Sequence, residues 1–520
     1  MTRSGLSARY AAALVLVVVA VGCRSTAPKE TVGPQLLLGR LRAAVVPGGT
    51  ERIEVTAADE RNQPVPFSVE CDNEAVATVT RTDSTITVTG QSRGTANVTV
   101  SCGGSRRTFP VQVYDPMVLE TDELLIRFVD VFAWRWNTSG YRFHGTISHP
   151  VTTDGFKALG SVCVPYFARG PQDDRPWAVV VKARPGSDAL KPPLDYVPVW
   201  DTKATGTGPG WGMAENPGSL WDPVPPSGYR ALGTVAQAGY DKPSLDDVVC
   251  VREDLTVPGV WGKSFVTWGG SDYADWGARP ILPPNVGPHD LCYLPTGAFV
   301  ACPQSGGLGS SPSRVLKIKL PVLAEAQGQR CAPKLAERVR PPDFTPPTLA
   351  REVLVPWILV NDPSLSDSER IRTSPFYRLE RQVCYKRIVY EDNTTSLTQT
   401  YEVKSTVGIT TSESQTVSSK TGVEVSVEAG VSCEFKGFGA DVRVGVTVSK
   451  ELGYEMTWGN EEFISQEITK EVSVAPGKAA AKWQEYNLFV LKRHDGTELV
   501  PVHAWQMGIE SYVDDEYPDE

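Results

Sequence analysis

The residue types that most often catalyse reactions are present in this chain of 520 residues, but their spacing forms no known active site. None of the five histidines stands in an H-E-x-x-H pattern, and the chain lacks the G-x-S-x-G turn that exposes a nucleophilic serine. Gly262-Lys263-Ser264 ends like a phosphate-binding loop, but Val257 occupies the position of that loop's first glycine. We therefore expect no catalytic residue, metal or cofactor, and a function that depends on binding.

Two basic residues beside a turn are candidates for binding an anionic head group. Lys182 and Arg184 stand at the end of an apolar run, immediately before Pro185-Gly186. Ammonium and guanidinium groups bind phosphate and carboxylate through charge-assisted hydrogen bonds. The alternative is that both side chains only solvate the end of a strand.

The composition restricts both the fold class and the partners. The formal net charge is −10 at pH 7, and no basic stripe is present that could displace counterions from a nucleic acid. The 46 glycines and 41 prolines, together with 41% hydrophobic residues, are typical of strands joined by many turns. We expect a mostly β protein of several domains that does not bind nucleic acid.

The N-terminus has the pattern of an export signal. Arg3 and Arg9 precede the apolar run 11–22, which is short for a membrane-spanning helix but suits the core of a signal peptide. We therefore predict that residues 1–22 are a signal peptide.

The end of that run, Ala20-Val21-Gly22-Cys23, resembles a bacterial lipobox. The resemblance implies lipidation of Cys23, which becomes the new N-terminus and is followed by a tether over residues 23–33. An aspartate directly after the lipidated cysteine would resemble an inner-membrane retention signal. Arg24 occupies that position, so we expect an anchor in the outer membrane of the cell envelope. The alternative is a plain secretory signal with an incidental cysteine.

Residues 34–116 predict an all-β sandwich, because short Val/Thr strands alternate with Gly, Asn and Asp turns. The stretch EAVATVTRTDSTITVTGQSRGTANVTVSC resembles the bacterial Ig-like domain of group 2, which implies a stalk or spacer. Export permits disulfides. Cys71 and Cys102 fall in this one small domain, and we predict that they form a bridge.

Residues 117–330 contain an internal repeat. GFKALG at 155–160 returns as GYRALG at 228–233, an offset of 228 − 155 = 73 residues. Strands with tryptophan open three copies: FAWRW, VPVWD and PGVWG. Three small sheets that each fail to bury their own apolar face would be stable when packed about a threefold axis, so the repeat predicts a β-prism.

Longer motifs in this region resemble the vacuolar protein sorting-associated protein 62 family. They are AVVVKARPGSD, LDYVPVWD, WDPVPPSGYRALGTV and GYDKPSLDDVVCVREDL. The resemblance implies a β-prism that binds membrane lipid or surface glycan. The alternative is a prism with a purely structural role.

A proline-rich linker over residues 331–350 leads to a domain with long period-two alternation. Residues 423–435 and 442–449 alternate apolar with polar positions, as expected of an antiparallel hairpin. The apolar positions of this candidate membrane-inserting hairpin are Val423, Val425, Val427, Val431, Phe435, Val442, Val444, Val446 and Val448. The same pattern fits a half-solvated sheet of a domain that never enters a membrane.

Residues 351–520 also resemble the insecticidal-crystal-toxin module. The motifs are SPFYRLER, VGITTSESQTVSSKTGVEVSVEAGV, SKELGYEMTWG and APGKAAAKWQEYNLFVLKRHDGTE. The resemblance implies an elongated antiparallel β domain of aerolysin type, a hairpin that inserts into a bilayer, and assembly as a homo-oligomer. The rival interpretation is a structural or adhesive surface lipoprotein that never inserts.

Overall fold

The protein is described by a computed structural model. It describes residues 35–59, 63–137, 145–164, 176–204, 217–262, 266–268, 276–284, 291–303, 313–326, 333–407, 423–426, 430–436, 443–447, 451–452, 466–499, 503–506 and 512–518. Antiparallel strands dominate these residues, which confirms the predicted mostly β class. The predicted signal peptide, Cys23 and the tether lie outside them. Within the described residues, no helix has the length and apolar character needed to cross a bilayer.

The first domain is a sandwich of two four-stranded sheets, ordered β1-β3-β6-β5 and β2-β8-β7-β4. Its strands are β1 (Gln35–Leu38), β2 (Ala43–Val45), β3 (Thr50–Ala58), β4 (Ser68–Cys71), β5 (Ala77–Arg81), β6 (Thr85–Gly90), β7 (Gly94–Cys102) and β8 (Ser105–Val113). Alternate residues such as Ile53, Ile86 and Phe109 are fully buried between the sheets, as the period of a strand requires.

The predicted bridge between Cys71 and Cys102 is not formed, and both residues are free thiols. The register of β4 and β7 pairs Cys71 with Val98, four positions along the strand from Cys102. That offset separates the two cysteines by about 13 Å, whereas a disulfide requires Cα atoms within about 7 Å. Cys71 Sγ instead donates a hydrogen bond to the carbonyl of Ala77 at 3.1 Å.

The repeat region forms three copies of a pair of small sheets, which we call the threefold unit. The first copy has β9 (Leu119–Glu120), β10 (Leu124–Val129), β11 (Phe132–Asn137), β12 (Thr146–Pro150), β13 (Lys157–Ala158), β14 (Val162–Val164) and β15 (Ala178–Ala183). The second has β16 (Leu190–Lys191), β17 (Asp195–Asp201), β18 (Gly218–Val224), β19 (Tyr229–Arg230), β20 (Val235–Ala238) and β21 (Cys250–Arg252). The third has β22 (Thr256–Pro258), β23 (Val260–Trp261), β24 (Val266–Trp268), β25 (Trp276–Leu282), β26 (Cys292–Leu294), β27 (Phe299–Pro303) and β28 (Arg314–Ile318). Short 3₁₀ turns stand at Thr202–Ala204 and Glu253–Leu255.

A closed ring of backbone hydrogen bonds joins the three copies. Ser161 N donates to Thr234 O at 2.9 Å, Thr234 N to Phe299 O at 2.9 Å, and Phe299 N to Ser161 O at 3.2 Å. Beside this ring, a Cβ built on Gly233 would lie 2.6 Å from the Cβ of Ala298 and 3.2 Å from the Cα of Gly160. The six-residue motif GFKALG therefore recurs as GYRALG because its last glycine lies where the three copies meet and has no room for a side chain.

The tryptophan strands supply the centre of the threefold unit. Trp136 and Trp200 are buried there with ring centroids 5.6 Å apart in a stacked pair. Trp261 of the third copy is only partly buried and packs in a neighbouring cluster. Trp136 lies directly on Gly218, whose added Cβ would come within 2.3 Å of the indole ring.

The C-terminal domain is built on a six-stranded sheet. It runs β29-β30-β31-β37-β38, with β39 also paired to β37. These strands are β29 (Val322–Glu325), β30 (Thr348–Pro356), β31 (Phe376–Asp392), β37 (Ala479–Lys492), β38 (His503–Gln506) and β39 (Tyr512–Tyr517). The sheet therefore begins before the predicted linker, because β29 pairs with β30 rather than with the threefold unit.

Two short segments connect β30 to β31. A 3₁₀ turn at Trp357–Leu359 is followed by the helix α1 (Asp367–Thr373). Ser366 and Glu369 form a reciprocal capping box that fixes the start of α1. An aromatic cluster joins this part of the domain to the threefold unit: Phe128 lies 5.7 Å from Trp177, 5.9 Å from Trp357 and 5.6 Å from Phe376.

Candidate functional site

The candidate site is an insertion between the two longest strands of the C-terminal sheet. After β31 the chain enters β32 (Gln399–Val407), which pairs along its whole length with β36 (Gln466–Val474) before the chain returns into β37. The predicted membrane-inserting residues all lie between β32 and β36. A two-stranded ladder thus carries the segment to and from the sheet.

Asn393 fixes the point where this ladder departs. Its side chain is buried, and Nδ2 donates to the carbonyls of Leu397 at 2.8 Å, Val474 at 2.9 Å and Ala475 at 3.2 Å. Its Oδ1 accepts from the backbone and hydroxyl of Thr395. One amide therefore holds both crossings between the sheet and the ladder, an arrangement that Asn adopts readily at turns.

The predicted hairpin is a three-stranded antiparallel ribbon. Its strands are β33 (Val423–Ser426), β34 (Gly430–Lys436) and β35 (Arg443–Thr447). The register pairs Val425 with Val431, Val423 with Cys433, Phe435 with Val444, and Cys433 with Val446. Apolar positions therefore stand opposite apolar positions across all three strands.

Residues 423–435, expected as the first strand of the hairpin, do not form one continuous strand. The chain reverses between Ser426 and Gly430, so β33 and β34 pair with each other. The reversal gives each strand a neighbour that satisfies its backbone hydrogen-bonding groups, which a single long strand would leave unpaired on one side. Val427, Val442 and Val448 lie outside the described residues.

Among the residues that the structure describes, no strand of the ribbon has the length needed to cross a bilayer. The longest of these strands, β34, has 7 described residues, whereas a transmembrane strand needs about 9–11. Insertion would therefore need strands that extend beyond the described part of the ribbon.

The chain just after the ribbon is anchored to the C-terminal sheet. Leu452 is 0% exposed and belongs to the main hydrophobic core. Arg381, itself only 2% exposed, donates from Nη1 to the carbonyl of Leu452 at 3.1 Å and from Nε to Asn487 Oδ1 at 2.7 Å. Arg351 Nη1 donates to the carbonyl of Glu451 at 3.3 Å. We call Arg351, Arg381, Glu451 and Leu452 the anchor.

The ribbon itself lies at the junction of two domains. The backbone of β34 runs beside the Trp357–Leu359 turn, and that of β35 runs beside β26 of the threefold unit. The aromatic cluster that includes Trp357 stands at this same junction. Movement of the ribbon would therefore change its contacts with both domains.

The two predicted head-group residues lie elsewhere and already have partners. Lys182 Nζ donates to the carbonyl of Asp154 at 2.8 Å, and Arg184 Nη1 donates to the carbonyl of Thr121 at 3.1 Å. Both side chains are half-buried at the end of β15. The structure does not bring them to the ribbon.

Sequence reasoning missed the anchor and the crossing point. Asn393 begins the stretch Asn-Thr-Thr-Ser, whose composition is typical of turns and gives a usable signal. Nothing local marks Arg381 or Leu452, because their contact joins positions 71 residues apart.

Three segments of the chain match known protein families. Residues 41–105 match the bacterial Ig-like domain (group 2), residues 127–271 match vacuolar protein sorting-associated protein 62, and residues 348–513 match insecticidal crystal toxin P42. The three resemblances drawn from the sequence are confirmed. No curated protein sequence matches the chain.

Several solved structures are similar to parts of this chain. GNIP1Aa from Chromobacterium piscinae is 22% identical over 38% of this chain, with a TM-score of 0.29, and the match spans only 34% of GNIP1Aa. Cry35Ab1 is 14% identical over 77% of this chain and 91% of its own, with a TM-score of 0.30. Domains 4 and 5 of the S-layer protein SbsC are 22% identical over 16% of this chain and 48% of their own, with a TM-score of 0.15.

The chain is thus a composite of three successive segments, which are similar to the group 2 bacterial Ig-like domain, to vacuolar protein sorting-associated protein 62 and to insecticidal crystal toxin P42.

Proposed function

We propose that this chain is an exported, lipid-anchored and non-enzymatic surface protein that engages a membrane and inserts its ribbon as a β-hairpin. The observation that carries the proposal is the ribbon's register, in which apolar positions face apolar positions over three strands. Such a ribbon has one set of positions suited to lipid and another suited to water.

The position of the ribbon supports this proposal. It is joined to the sheet through the β32–β36 ladder, and the chain leaving it is held at Leu452. Release of the anchor would free the ribbon while the ladder stayed attached at Asn393. The match of residues 348–513 to an insecticidal crystal toxin is in keeping with an attack on a membrane.

Leakage of dye from liposomes tests insertion. Val425→Arg should abolish leakage, because an arginine on a lipid-facing strand position costs about 2–4 kcal/mol at the bilayer midplane. Ser432→Arg is the matched control, since Ser432 pairs with Glu424 at a polar register position, and it should leak like wild type. Equal leakage from both variants would show that the ribbon does not insert.

Complete absence of leakage with every lipid, pH and protease condition would favour a different function. The chain would then be a structural or adhesive surface lipoprotein whose ribbon stays in place.

We further propose that the threefold unit binds membrane lipid head groups or surface glycan. Co-sedimentation of the full chain with anionic liposomes, and its binding to a glycan array, test the two ligands. The double variant Lys182→Ala/Arg184→Ala should weaken binding. Lys191→Ala is the control and should not, because the exposed Lys191 places its Nζ 4.6 Å from the centroid of the Tyr229 ring. Unchanged binding by the double variant would remove Lys182 and Arg184 from the site.

A further inference from the structure

The first strand of the C-terminal sheet is an edge that another part of the chain covers. On one side β29 pairs with β30. On the other side, Leu41 N donates to the carbonyl of Glu325 at 2.6 Å, Arg42 N to the same carbonyl at 3.2 Å, and Glu325 N to the carbonyl of Arg42 at 3.4 Å. A two-residue segment of the Ig-like domain therefore pairs with the backbone of Glu325, the last residue of this edge strand.

Apolar contacts support this docking. Tyr114 at the end of the Ig-like domain is 5% exposed and lies in the same hydrophobic core as Leu323 of β29. Ala44 and Val46, which follow the covering segment, pack against that core. A spacer would not need to share a hydrophobic core with the C-terminal sheet, as this Ig-like domain does.

Buried charges lie beneath the docked domain. Glu352 and Glu380 are 3% and 5% exposed, and Arg378 lies between them, with Nη2 3.0 Å from Glu352 Oε2 and 3.7 Å from Glu380 Oε1. Lys492 pairs with Glu380 at 3.0 Å. On the Ig-like side, Arg40 pairs with Glu51 at 2.7 Å.

These ion pairs form within each domain, so Arg378 and Lys492 compensate Glu352 and Glu380 on the sheet, while Arg40 compensates Glu51 on the Ig-like side. Buried carboxylates are tolerated only where cations and hydrogen bonds compensate them. The buried charges on each side of the docking surface are therefore compensated by residues of the same domain.

We propose that the Ig-like domain is an intramolecular cap on the β29 edge, and that a second copy of this chain pairs with this edge once the cap has moved away. A free edge strand presents unpaired N–H and C=O groups that accept any extended backbone of suitable register. The opposite edge of the same sheet carries β38 and β39, so pairing between copies would be head-to-tail, the geometry that builds rings or open filaments. The assembly step rests on the proposed membrane function, whereas the capping itself does not.

A reversible lock tests the coupling in the full chain. Arg42 and Glu325 exchange both backbone hydrogen bonds, a pairing with Cα atoms about 5.5 Å apart, which suits a disulfide. The oxidised Arg42→Cys/Glu325→Cys variant should form no oligomers on liposomes, and reduction should restore wild-type assembly. Each single-cysteine variant serves as a control. Assembly of the oxidised variant at the wild-type rate would overturn the proposal.

Hydrogen exchange in solution tests capping without any membrane. Leu41→Pro removes the donor of the 2.6 Å hydrogen bond, while Leu41→Ala keeps it, and Leu41 is 38% exposed, so neither change disturbs a core. The amide of Glu325, which donates to the carbonyl of Arg42, should exchange about fivefold faster in Leu41→Pro than in Leu41→Ala, the factor expected for one lost hydrogen bond. Equal exchange would overturn capping even if the wild-type protein proved to form pores. Faster exchange with no assembly on any membrane would leave the cap standing and refute the proposed pairing together with the insertion.

Discussion

At the scale of single residues, buried polar groups carry the specific contacts of the candidate site. Arg381 is a buried cation that donates to the carbonyl of Leu452, just after the ribbon. Asn393 donates to three carbonyls at the two crossings between the sheet and the ladder. Such groups are costly to leave unpaired, so their partners determine where the insertion can lie.

Substitution of Arg381 should loosen the anchor. Arg381→Ala leaves the Leu452 carbonyl and Asn487 without their donor, and we expect a loss of about 3 kcal/mol in the free energy of unfolding. Arg351→Ala should cost about 1 kcal/mol or less, because the Arg351 side chain is 29% exposed. Urea unfolding of both variants checks this order, and a reversed order would contradict the assigned anchor.

Asn393→Asp should be worse than Asn393→Ala. The aspartate would place a carboxylate oxygen against the carbonyls of Leu397, Val474 and Ala475, where the amide now donates. The alanine variant loses these hydrogen bonds without adding repulsion. Thermal unfolding at neutral pH compares them, and an aspartate variant as stable as wild type would disprove the role of Nδ2.

Asp222 of the threefold unit gives a pH dependence. Burial raises its pKa to about 6, against the lowering effect of the Thr234 hydroxyl, which donates to it at 2.7 Å. The folded protein binds this proton more tightly than the unfolded chain does. Protonation of Asp222 therefore stabilises the fold fully below pH about 4, and this stabilisation is lost as pH rises through about 6.

Asp222→Asn should remove this dependence and raise stability at neutral pH by about 2 kcal/mol. Melting temperatures of wild type and variant between pH 4 and pH 7 provide the measurement. Parallel pH profiles for the two proteins would show that Asp222 is not the titrating group.

At the scale of elements, sequence alternation predicts faces better than it predicts chain reversals. The register of β33, β34 and β35 keeps the alternation, with apolar positions opposite apolar positions. Alternation could not show the reversal before Gly430, because a hairpin and a single strand share the same alternation when the turn keeps the register. The predicted end of the β-prism at residue 330 is misplaced for a related reason. β29 belongs to the C-terminal sheet, and its pairing with β30 leaves no local pattern in the sequence.

The repeated ALG motif yields a prediction about packing. Gly233→Ala should destabilise the threefold unit by about 1–3 kcal/mol, because its new methyl group would overlap Ala298. Ala298→Gly introduced in the same chain removes the nearest clashing atom and should recover part of that loss. Thermal unfolding of the single and double variants checks this, and absence of any rescue would place the clash elsewhere.

At the scale of the whole molecule, the three segments are joined more closely than their separate resemblances suggested. The Ig-like domain was expected to be a spacer, yet it shares a core with the C-terminal sheet through Tyr114. The threefold unit meets that sheet through an aromatic cluster, next to which the ribbon lies. Sequence could predict each fold from local patterns and family motifs, but contacts between domains depend on residues hundreds of positions apart.

The central claim is that the ribbon exchanges its contacts with the protein for contacts with lipid. The most direct measurement places an environment-sensitive fluorophore at single positions along β33 and β34 of the liposome-bound protein, with a quencher attached to the acyl chains. Insertion predicts quenching at positions 423, 425, 431 and 435 and little at 424, 432 and 434. Uniform quenching, or none at any position, would contradict insertion of the ribbon.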